Sequence, residues 1–587
     1  MTYKGAATIA RHIRLAPSLT VLAATLAALP ASAQVVPGQL PSREQVQPPV
    51  PESLPAPRAR VDGRSAFRAV DCPFETSTQQ VALAGLRFEG QDGAELAPEI
   101  LRLLGDLRPQ PGSQPVAQLC ALRDEANRIL QSAGYVASVQ ILPQQIDNGG
   151  QLILTVISAR LVRLEVEGET GRYARLVAER AERLKALYPF NQFEAERMLL
   201  LMGDIPGLSV DLTLRPAGTR PGEVVGTLAV AYRPIAITGN LQNYGGRSAG
   251  RESAYARVDL YGLTGLADVT YIGGSTTFDL DEQQVLQLGH GMGLGADGIR
   301  LDGSLTLAWS QPDIGALDLR STSTVATLAL STPVRRGLTR NLNASLGLDL
   351  IEQRTDVHFA GVRYPLTRDR LRVGFARLAG NISRPSQSGH GYRASAALEA
   401  RQGLAILGAS ERFDGIYDGG YTPSNESGDP TATILRADLD GQVGLGPVFS
   451  LAGAARAQLA SGPLLNYEKF SVGSLTVGRG YDPGAGNGDS AIGLRGEVRT
   501  AAWRGQRLAA ELFGFYDQAW LWNEGRFDEN HRALASFGGG VRAAIDGKFL
   551  LEATYARPLD RLQRIDRSRP GPRLLLSLTT QFSAAFR

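Results

Sequence analysis

Residues 341–350 have the sequence NLNASLGLDL, and this stretch decides the fold of the C-terminal half of the chain. Every second residue from Leu342 to Leu350 is apolar, and the residues between them are Asn, Ser, Gly and Asp. Because successive side chains of a strand point to opposite faces, the stretch predicts a β-strand with one apolar face. The same alternation recurs at residues 254–261 and 435–440, where the polar face carries Arg and Asp. An apolar face toward lipid and a charged face toward a wet lumen are typical of a transmembrane β-barrel.

About 16 such segments follow one another from residue 236 onward, each long enough to cross a bilayer at a tilt. Bacterial barrels have an even number of strands, so we expect a mainly β chain with an antiparallel transmembrane barrel over residues 234–587. The predicted strands begin near Ala236, Ser253, Leu266, Gln284, Arg300, Thr322, Asn341, Leu371, Gly391, Thr433, Val448, Ala491, Arg507, Ala533, Lys548 and Arg573. In the last strand, alternate residues from Leu574 to Phe582 face lipid, and Phe586 has the same parity. An aromatic residue there resembles the assembly signal of outer-membrane proteins.

Residues 1–33 have the three parts of a secretory signal peptide. Lys4, Arg11 and Arg14 precede an apolar stretch at residues 15–29, and Ala31-Ser32-Ala33 offers a cleavage site. No later apolar run reaches the length of about 18 residues that a membrane-spanning helix needs. Only helices and closed barrels satisfy every backbone group in lipid, so the exported chain is either soluble or a barrel. We expect the barrel, in the outer membrane of a Gram-negative bacterium.

Composition and motifs argue against several other functions. The formal net charge is only +3, whereas nucleic-acid binding favours a strongly basic face, so we expect no nucleic-acid partner. Gly293, Gly295 and Gly298 satisfy G-x-G-x-x-G but lack a surrounding βαβ unit, and are more typical of a turn between strands. The five histidines have no metal-ligand spacing. We expect no metal, no cofactor and no catalytic residues, with an enzyme site dispersed over barrel strands as the alternative.

Residues 34–71 are predicted to form an N-terminal linker. Residues 34–60 are rich in Pro and Gln, cannot bury a core, and leave room for one short helix around Ser42 to Gln47. Deleting residues 35–50 tests whether this segment can lie in the pore as a plug.

Two modules of similar order follow, at residues 72–159 and 160–233. Each has the predicted order strand, helix, helix, strand, strand, which is an α+β (βααββ) arrangement. The first contains strands 81–88, 138–142 and 152–157 and helices 94–104 and 115–132. The second contains strands 161–166, 208–214 and 224–232 and helices 173–187 and 193–202.

A signal peptide, a Pro-rich linker, two βααββ modules and a barrel of about 16 strands resemble the outer-membrane transporter of two-partner secretion, the TpsB type that exports haemolysins and filamentous haemagglutinins. The modules are similar to POTRA domains. Barrel-assembly proteins of the same superfamily are an alternative, although they usually carry more such modules. A passive porin is a further alternative.

The most specific motif is the stretch from Gly473 to Tyr481, GSLTVGRGY, followed by Asp489 and by Gly496-Glu497-Val498-Arg499. Arg479, Gly480 and Tyr481 match the V-R-G-Y signature of a long loop that folds back into the barrel, and Gly478 replaces the usual Val. A second signature, F-x-D, is present as Phe515-Tyr516-Asp517. The resemblance implies that the Arg479 guanidinium meets the Asp517 carboxylate on the inner wall, and that Gly480 permits the backbone turn presenting it.

Cys72 and Cys120 are the two cysteines of the chain. A pair in an exported protein first suggests a disulfide, and their placement resembles that of paired cysteines in many members of the family. Two independent buried thiols are the alternative.

The resemblance also implies the partners. We expect a large exported protein of adhesin or haemolysin type, with an N-terminal secretion domain, to dock on the POTRA domains and thread through the barrel. Docking by strand addition would use an exposed edge such as Ser138 to Leu142 or Leu208 to Leu214. Outer-membrane lipid and the barrel-assembly machinery are further expected partners, and the chain is expected to be a monomer.

Overall fold

The structure, a computed structural model, describes residues 41–47, 60–62, 74, 77–146, 150–218, 220–313, 318–359, 361–386, 388–415, 419–524, 530–562 and 568–584. The predicted signal peptide, Cys72 and Phe586 lie outside the described residues. No described helix combines the length and the apolar composition needed to span a membrane.

Two short elements come first. Helix α1 (Arg43–Val46) lies where the sequence predicts a short helix, and strand β1 (Arg60–Asp62) was not predicted. The Gln45 side chain accepts a hydrogen bond from the Ser42 backbone N–H at 2.9 Å, which closes the first turn of α1. In the sequence two prolines follow Gln47, and proline cannot continue the helical hydrogen-bond pattern.

The first module contains six elements. They are β2 (Gln80–Gly90), α2 (Pro98–Leu104), β3 (Ser113–Pro115), α3 (Gln118–Ser132), β4 (Ala137–Gln140) and β5 (Gly150–Ser158). The sheet order is β3-β2-β5-β4, with β2 and β5 parallel. Helices α2 and α3 cover one face, where Leu104, Leu130 and Leu152 are fully buried. The Asn127 amide on α3 donates to the Val139 carbonyl (3.2 Å) and accepts from the Val139 N–H (2.8 Å), so this side chain covers the outer edge of β4.

The second module has the predicted order strand, helix, helix, strand, strand, from which the first module differs only by the additional short strand β3. Its elements are β6 (Arg160–Gly168), α4 (Ala174–Lys185), α5 (Gln192–Gly203), β7 (Leu208–Pro216) and β8 (Glu223–Tyr232). The sheet order is β1-β7-β8-β6, and β1 pairs in parallel with residues 211–213 of β7. The prediction that residues 208–214 offer an unpaired edge is therefore wrong at residues 211–213, because a strand of the linker already occupies that edge.

The barrel begins directly after the second module. Its first eleven strands are β9 (Ile235–Gln242), β10 (Ser253–Tyr261), β11 (Val269–Thr277), β12 (Gln283–Leu294), β13 (Ile299–Ser310), β14 (Asp318–Arg335), β15 (Arg340–Phe359), β16 (Val362–Arg384), β17 (Tyr392–Gly403), β18 (Thr433–Gly444) and β19 (Phe449–Ala460). A loop with the small hairpin β20 (Phe470–Val472) and β21 (Gly486–Gly488) follows. The remaining strands are β22 (Ser490–Thr500), its two-residue extension β23 (Trp503–Arg504), β24 (Leu508–Trp522), β25 (His531–Ile545), β26 (Phe549–Pro558) and β27 (Arg573–Ala584).

Antiparallel pairing of β27 with β9 closes the sheet, so the described residues form a barrel of 16 strands when β22 and β23 are taken as one. The prediction of a mainly β chain with a 16-stranded antiparallel barrel is confirmed. The faces also alternate as predicted: Leu346, Leu435 and Leu574 are exposed on the outside, while Asp349, Arg436 and Leu575 are buried on the inside. Strand β16 begins nine residues earlier than predicted, because the β15–β16 hairpin continues its pairing beyond the apolar band.

The second module lies against the barrel at the end where short turns join the strands, which we call the turn end. The Tyr173 hydroxyl donates to the Asp268 carbonyl (3.1 Å), and the Tyr232 hydroxyl donates to the Tyr261 carbonyl (2.6 Å). The opposite end, with the longer connections, is called the loop end. The loop between β19 and β22 therefore starts from the loop end.

Candidate functional site

Residues 461–489, here called the lumen loop, fold back into the barrel. Its hairpin β20–β21 places Val472, Val477 and Tyr481 against Leu521 and Leu534 of the wall, and these residues are at most 1% exposed. This apolar contact holds the middle of the loop inside the barrel, and charged side chains at two places fix its position.

Arg479 and Asp517 form the first charged anchor. Asp517 on β24 is fully buried, and its carboxylate accepts from the Arg479 backbone N–H (3.0 Å), Nε (3.0 Å) and Nη2 (2.7 Å). The Nε and Nη2 contacts form a bidentate pair, a geometry that the planar guanidinium favours. The structure thus brings together the two residues that the sequence motifs paired.

Phe515 lies beside the pair because it is two residues before Asp517 on the same strand, which places both side chains on the inner face. The Arg479 guanidinium carbon lies 3.6 Å from the centre of the Phe515 ring, which is a cation–π contact. Tyr516 between them is half exposed on the outside. The F-x-D spacing therefore supplies one ring and one carboxylate to the same guanidinium.

Glu497 on β22 is a third partner of Arg479 that the sequence analysis quoted within a motif but gave no role. Arg479 Nη1 donates to Glu497 Oε1 at 2.5 Å. The same carboxylate also accepts from Arg499 (2.7 Å) and from Arg542 (3.0 and 3.2 Å). Arg479 is therefore held between two wall carboxylates, and Glu497 links the anchor to a wider network of charges on the wall.

The prediction that Gly480 permits a backbone turn is wrong. The left-handed backbone conformation occurs at Gly478, with φ +102°, and not at Gly480. At Gly480 a Cβ would lie 2.8 Å from both the Pro558 nitrogen and the Ser536 Cβ, so close approach to the wall requires glycine there. Valine, the usual family residue at position 478, would be strained in this backbone conformation.

Tyr481 continues the contact with the wall. Its hydroxyl donates to the Ala535 carbonyl (2.9 Å) and accepts from the Asp560 N–H (2.9 Å). Arg573 on β27 donates to the Tyr481 carbonyl (2.6 Å). Arg479 thus contacts β22 and β24, whereas Gly480 and Tyr481 contact the neighbouring residues Ser536 and Ala535 of β25.

Glu468 forms a second charged anchor, which the sequence analysis missed. Its carboxylate accepts from Arg401 on β17 (2.8 and 3.1 Å) and from Arg436 on β18 (2.7 Å). Arg401 also contacts Asp349 at 2.8 Å. Here the loop supplies the anion and the wall the cations, the reverse of the first anchor. The alternation of charged residues in β18 was a signal for Arg436, but nothing local pointed to Glu468.

Burial acts to raise the pKa of Glu468, but the guanidinium groups of Arg401 and Arg436 outweigh it and lower that pKa to about 2. Glu468 is therefore ionised over the whole neutral range. Its charge compensates two buried cations that would otherwise repel each other.

Helix α1 also lies inside the barrel, against the lumen loop. Val46 is fully buried among wall residues such as Val325 and Ile351 and the loop residues Leu465 and Tyr467. The Tyr467 hydroxyl donates to Gln47 Oε1 (2.9 Å), and Gln283 of the wall donates to the Gln45 carbonyl (2.6 Å). The turn Asn466–Glu468 thus connects α1 to the second anchor.

A cavity of about 1260 Å³ remains between these segments and the wall. Its lining includes Glu44 of α1, Arg479 of the loop, and Arg393, Arg495 and Glu552 of the wall. The lumen is therefore polar and only partly filled.

Cys120 is buried on α3, and its predicted partner Cys72 lies outside the described residues, so the disulfide stays a prediction. Among the described residues, no group of three or more His, Cys, Asp or Glu side chains has the arrangement of a metal site.

Comparison with known proteins identifies the family. Residues 228–543 match the model of the family described as haemolysin secretion/activation protein ShlB/FhaC/HecB. The outer membrane transporter CdiB of Dickeya dadantii (strain 3937) is 28% identical over 180 residues, which cover 30% of this chain and 31% of that protein. The aligned part thus spans about a third of that relative.

Two solved structures share the fold. CdiB from Escherichia coli superposes with a TM-score of 0.67 at 17% identity, over 92% of this chain and 95% of that chain. CdiB from Acinetobacter baumannii superposes with a TM-score of 0.63 at 15% identity, over 90% of this chain and 95% of that chain. The family match covers more than half of the residues. The chain is an outer-membrane β-barrel and belongs to the ShlB/FhaC/HecB family of haemolysin secretion/activation proteins.

Proposed function

We propose that the protein is a translocation pore that exports a large partner protein, unfolded, from the periplasm through the barrel. One observation carries the proposal: the lumen is occupied by α1 and the lumen loop, which are held by side-chain contacts and not by the hydrogen bonds of the barrel wall. Segments held in this way can be displaced while all 16 wall strands stay paired. The described state is then the closed state of the pore.

The inner surface suits passage of an unfolded chain. Arg, Asp and Glu side chains line it, and the remaining cavity is open to water-sized groups. Backbone amides that pass through a wet, polar lumen keep hydrogen-bond partners, whereas an apolar channel would leave them unsatisfied. Export therefore needs no chemical step within the pore.

The two modules are suited to receive the partner as POTRA domains. Strand addition to a sheet edge gives affinity through backbone hydrogen bonds and needs little sequence specificity. Both candidate edges are covered in this state, β4 by Asn127 and β7 by β1. Strand addition by the partner would therefore displace either the Asn127 side chain or strand β1. Displacement of β1 would pull on the linker that leads back to α1.

The export role is tested with Arg479→Ala and Asp517→Ala, measured as secretion of the proposed large partner protein. Removing one partner of a buried ion pair costs about 3–5 kcal/mol in a dry interior, and less beside water. Each variant should insert normally but secrete less partner. The double variant should be little worse than either single one, because the residues act as one contact.

Arg257→Ala is the matched control. Arg257 pairs with Asp259 on the inner wall at 2.7 Å but lies outside both anchors of the lumen loop. The Arg257→Ala variant should secrete the partner at a near-normal level. Heat-modifiable migration on gels should show an intact barrel for every variant. Normal secretion by both Arg479→Ala and Asp517→Ala would contradict the proposed role of the anchor.

A further inference from the structure

A patch of arginines covers the outer wall of β14, β15 and β16 toward the loop end. We propose that this patch binds the phosphate groups of the glycolipid that forms the outer leaflet of the membrane. The patch lies on the outside of the barrel, apart from the lumen and from any protein exported through it.

Strand periodicity places three of the arginines on the outside. Asp369, Leu371 and Val373 of β16 are at most 3% exposed and face inward. The residues that alternate with them therefore face outward, and they include Arg368, Arg370 and Arg372.

These arginines lie at the border of the apolar band. On the same outer face, β16 continues toward the turn end with Ala376, Leu378 and Ile382. Arg372 is opposite Leu350 of β15, and Leu350 is opposite Ala326 of β14. Beyond this row the outer residues turn polar, since Arg370 is opposite Glu352 and Arg368 is opposite Arg354. The patch thus begins where the hydrocarbon-facing surface ends.

A tryptophan marks the same border. Trp309 of β13 is 44% exposed, and the register joins it through Thr322 and Arg354 to Arg368 in one row. Tryptophan is enriched at the level of lipid headgroups, where its ring is apolar and its N–H is wet. The arginines of this row are therefore expected at headgroup level.

The patch has an excess of positive charge. The outer surfaces of these three strands toward the loop end carry six arginines and three carboxylates, which are Arg320, Arg354, Arg363, Arg368, Arg370, Arg372, Asp318, Glu352 and Asp356. Asp356 lies between Arg354 (2.9 Å) and Arg363 (3.1 Å), so one carboxylate serves two cations. The Arg372 guanidinium donates to the carbonyls of Ile351, Leu371 and Leu407, which fixes its position at the border.

Phosphorylated lipid is the occupant that this chemistry and location favour. The outer leaflet of a Gram-negative outer membrane consists largely of lipopolysaccharide, whose lipid A anchor carries phosphates at headgroup level. Guanidinium groups bind phosphate bidentately, and basic clusters beside a membrane-spanning surface bind anionic headgroups. If the acyl chains of the lipid packed against the leucines of the outer wall on the turn-end side of the patch, its phosphates would lie against the arginines.

The test is native mass spectrometry of the full-length barrel mixed with phosphorylated lipid A or with chemically dephosphorylated lipid A. The wild-type protein should retain the phosphorylated form at least about tenfold more tightly, since several arginines lose their anionic partner when the phosphates are removed. The variant Arg368→Gln/Arg370→Gln/Arg372→Gln should lose this preference. The control Arg384→Gln/Arg504→Gln/Arg507→Gln removes three exposed arginines at the turn end and should keep it.

Equal retention of the two lipid A forms by the wild-type protein would overturn the proposal, and this measurement needs no variant. So would an unchanged preference in the triple variant at β16. Displacement of lipid A by an equal concentration of inorganic pyrophosphate would show a site for free anions and would also refute a lipid site. Heat-modifiable migration verifies that each variant is a folded barrel.

Discussion

At the scale of single residues, the lumen loop is positioned by two charge pairs of opposite sense. Arg479 of the loop meets carboxylates of the wall, and Glu468 of the loop meets guanidinium groups of the wall. Shifting the loop would separate both Arg479 and Glu468 from their buried partners. The two anchors together therefore specify one position of the loop, which apolar packing alone would leave loosely determined.

The Glu468 anchor should weaken in acid. In the folded protein the pKa of Glu468 lies below its ordinary value of 4.5. The Glu468 carboxylate therefore stabilises the lumen loop inside the barrel fully above pH 4.5, and this stabilisation is lost as the pH falls toward about 2. Single-channel conductance in planar bilayers should rise between these two pH values. Glu468→Gln should raise conductance at neutral pH and lack this acid step. An acid step that persists unchanged in Glu468→Gln would assign the step to another group and contradict this prediction.

The cysteine prediction belongs to the same scale. Linking Cys72 to Cys120 would close a loop of the unfolded chain and stabilise the first module by about 4 kcal/mol on the chain-entropy model. Mass spectrometry of the unreduced, protease-digested protein should detect the linked peptides. Two alkylatable thiols in the unreduced protein would instead favour two independent cysteines.

At the scale of elements, α1 shows how a weak helix is placed by its surroundings. Four residues are too few for a helix to be stable alone in water. Inside the barrel, burial of Val46 and the contacts of Gln45 and Gln47 hold it against the wall and the lumen loop. We therefore predict that α1 can leave the lumen without disturbing the barrel wall.

Deleting residues 35–50 should raise single-channel conductance, because α1 and its contacts leave the lumen. Tyr467→Phe should raise it less, since this change removes only the hydroxyl contact with Gln47. Tyr421→Phe serves as the matched control, because the Tyr421 hydroxyl contacts Asp356 and Arg363 outside the lumen loop. Equal conductance of the deletion variant and the wild-type protein would mean that α1 does not limit ion flow.

At the scale of the whole molecule, the second module contacts the turn end of the barrel through few polar groups. Arg336 in the β14–β15 turn donates to both Asp204 oxygens, at 2.6 and 2.7 Å. A cavity of about 680 Å³ lies between this pair and the inner wall, with Arg180 and Arg300 in its lining. The pair therefore lies at the mouth of the lumen at the turn end.

Asp204→Ala should loosen the module from the barrel without unfolding either part. The pair is partly exposed, so it contributes about 1 kcal/mol or less, enough to shift a docking equilibrium several-fold. Distances between spin labels on the second module and on a turn should become more broadly distributed. Glu165→Ala removes an exposed pair with Arg163 within the module and is the control. An unchanged distribution in Asp204→Ala would show that the remaining contacts, such as those of Tyr173, Tyr232 and Arg172, suffice to fix the module.

The sequence by itself determined which segments become strands and which face of each strand meets lipid. Those properties depend on the period-two alternation along each segment, as in residues 341–350, and a local pattern is visible without a structure. It also identified Arg479 and Asp517 as partners, because both belong to motifs that resemble those of one family.

Only the tertiary structure decided how distant segments meet. The closure of β27 on β9, the pairing of β1 with β7 and the contact of Glu468 with Arg401 join residues separated by 67 or more positions. The structure alone also explains why residue 480 is glycine, since Ser536 and Pro558 lie too close to leave room for a Cβ. Such contacts produce no periodic pattern in the sequence. They form only when the fold has brought distant segments of the chain side by side.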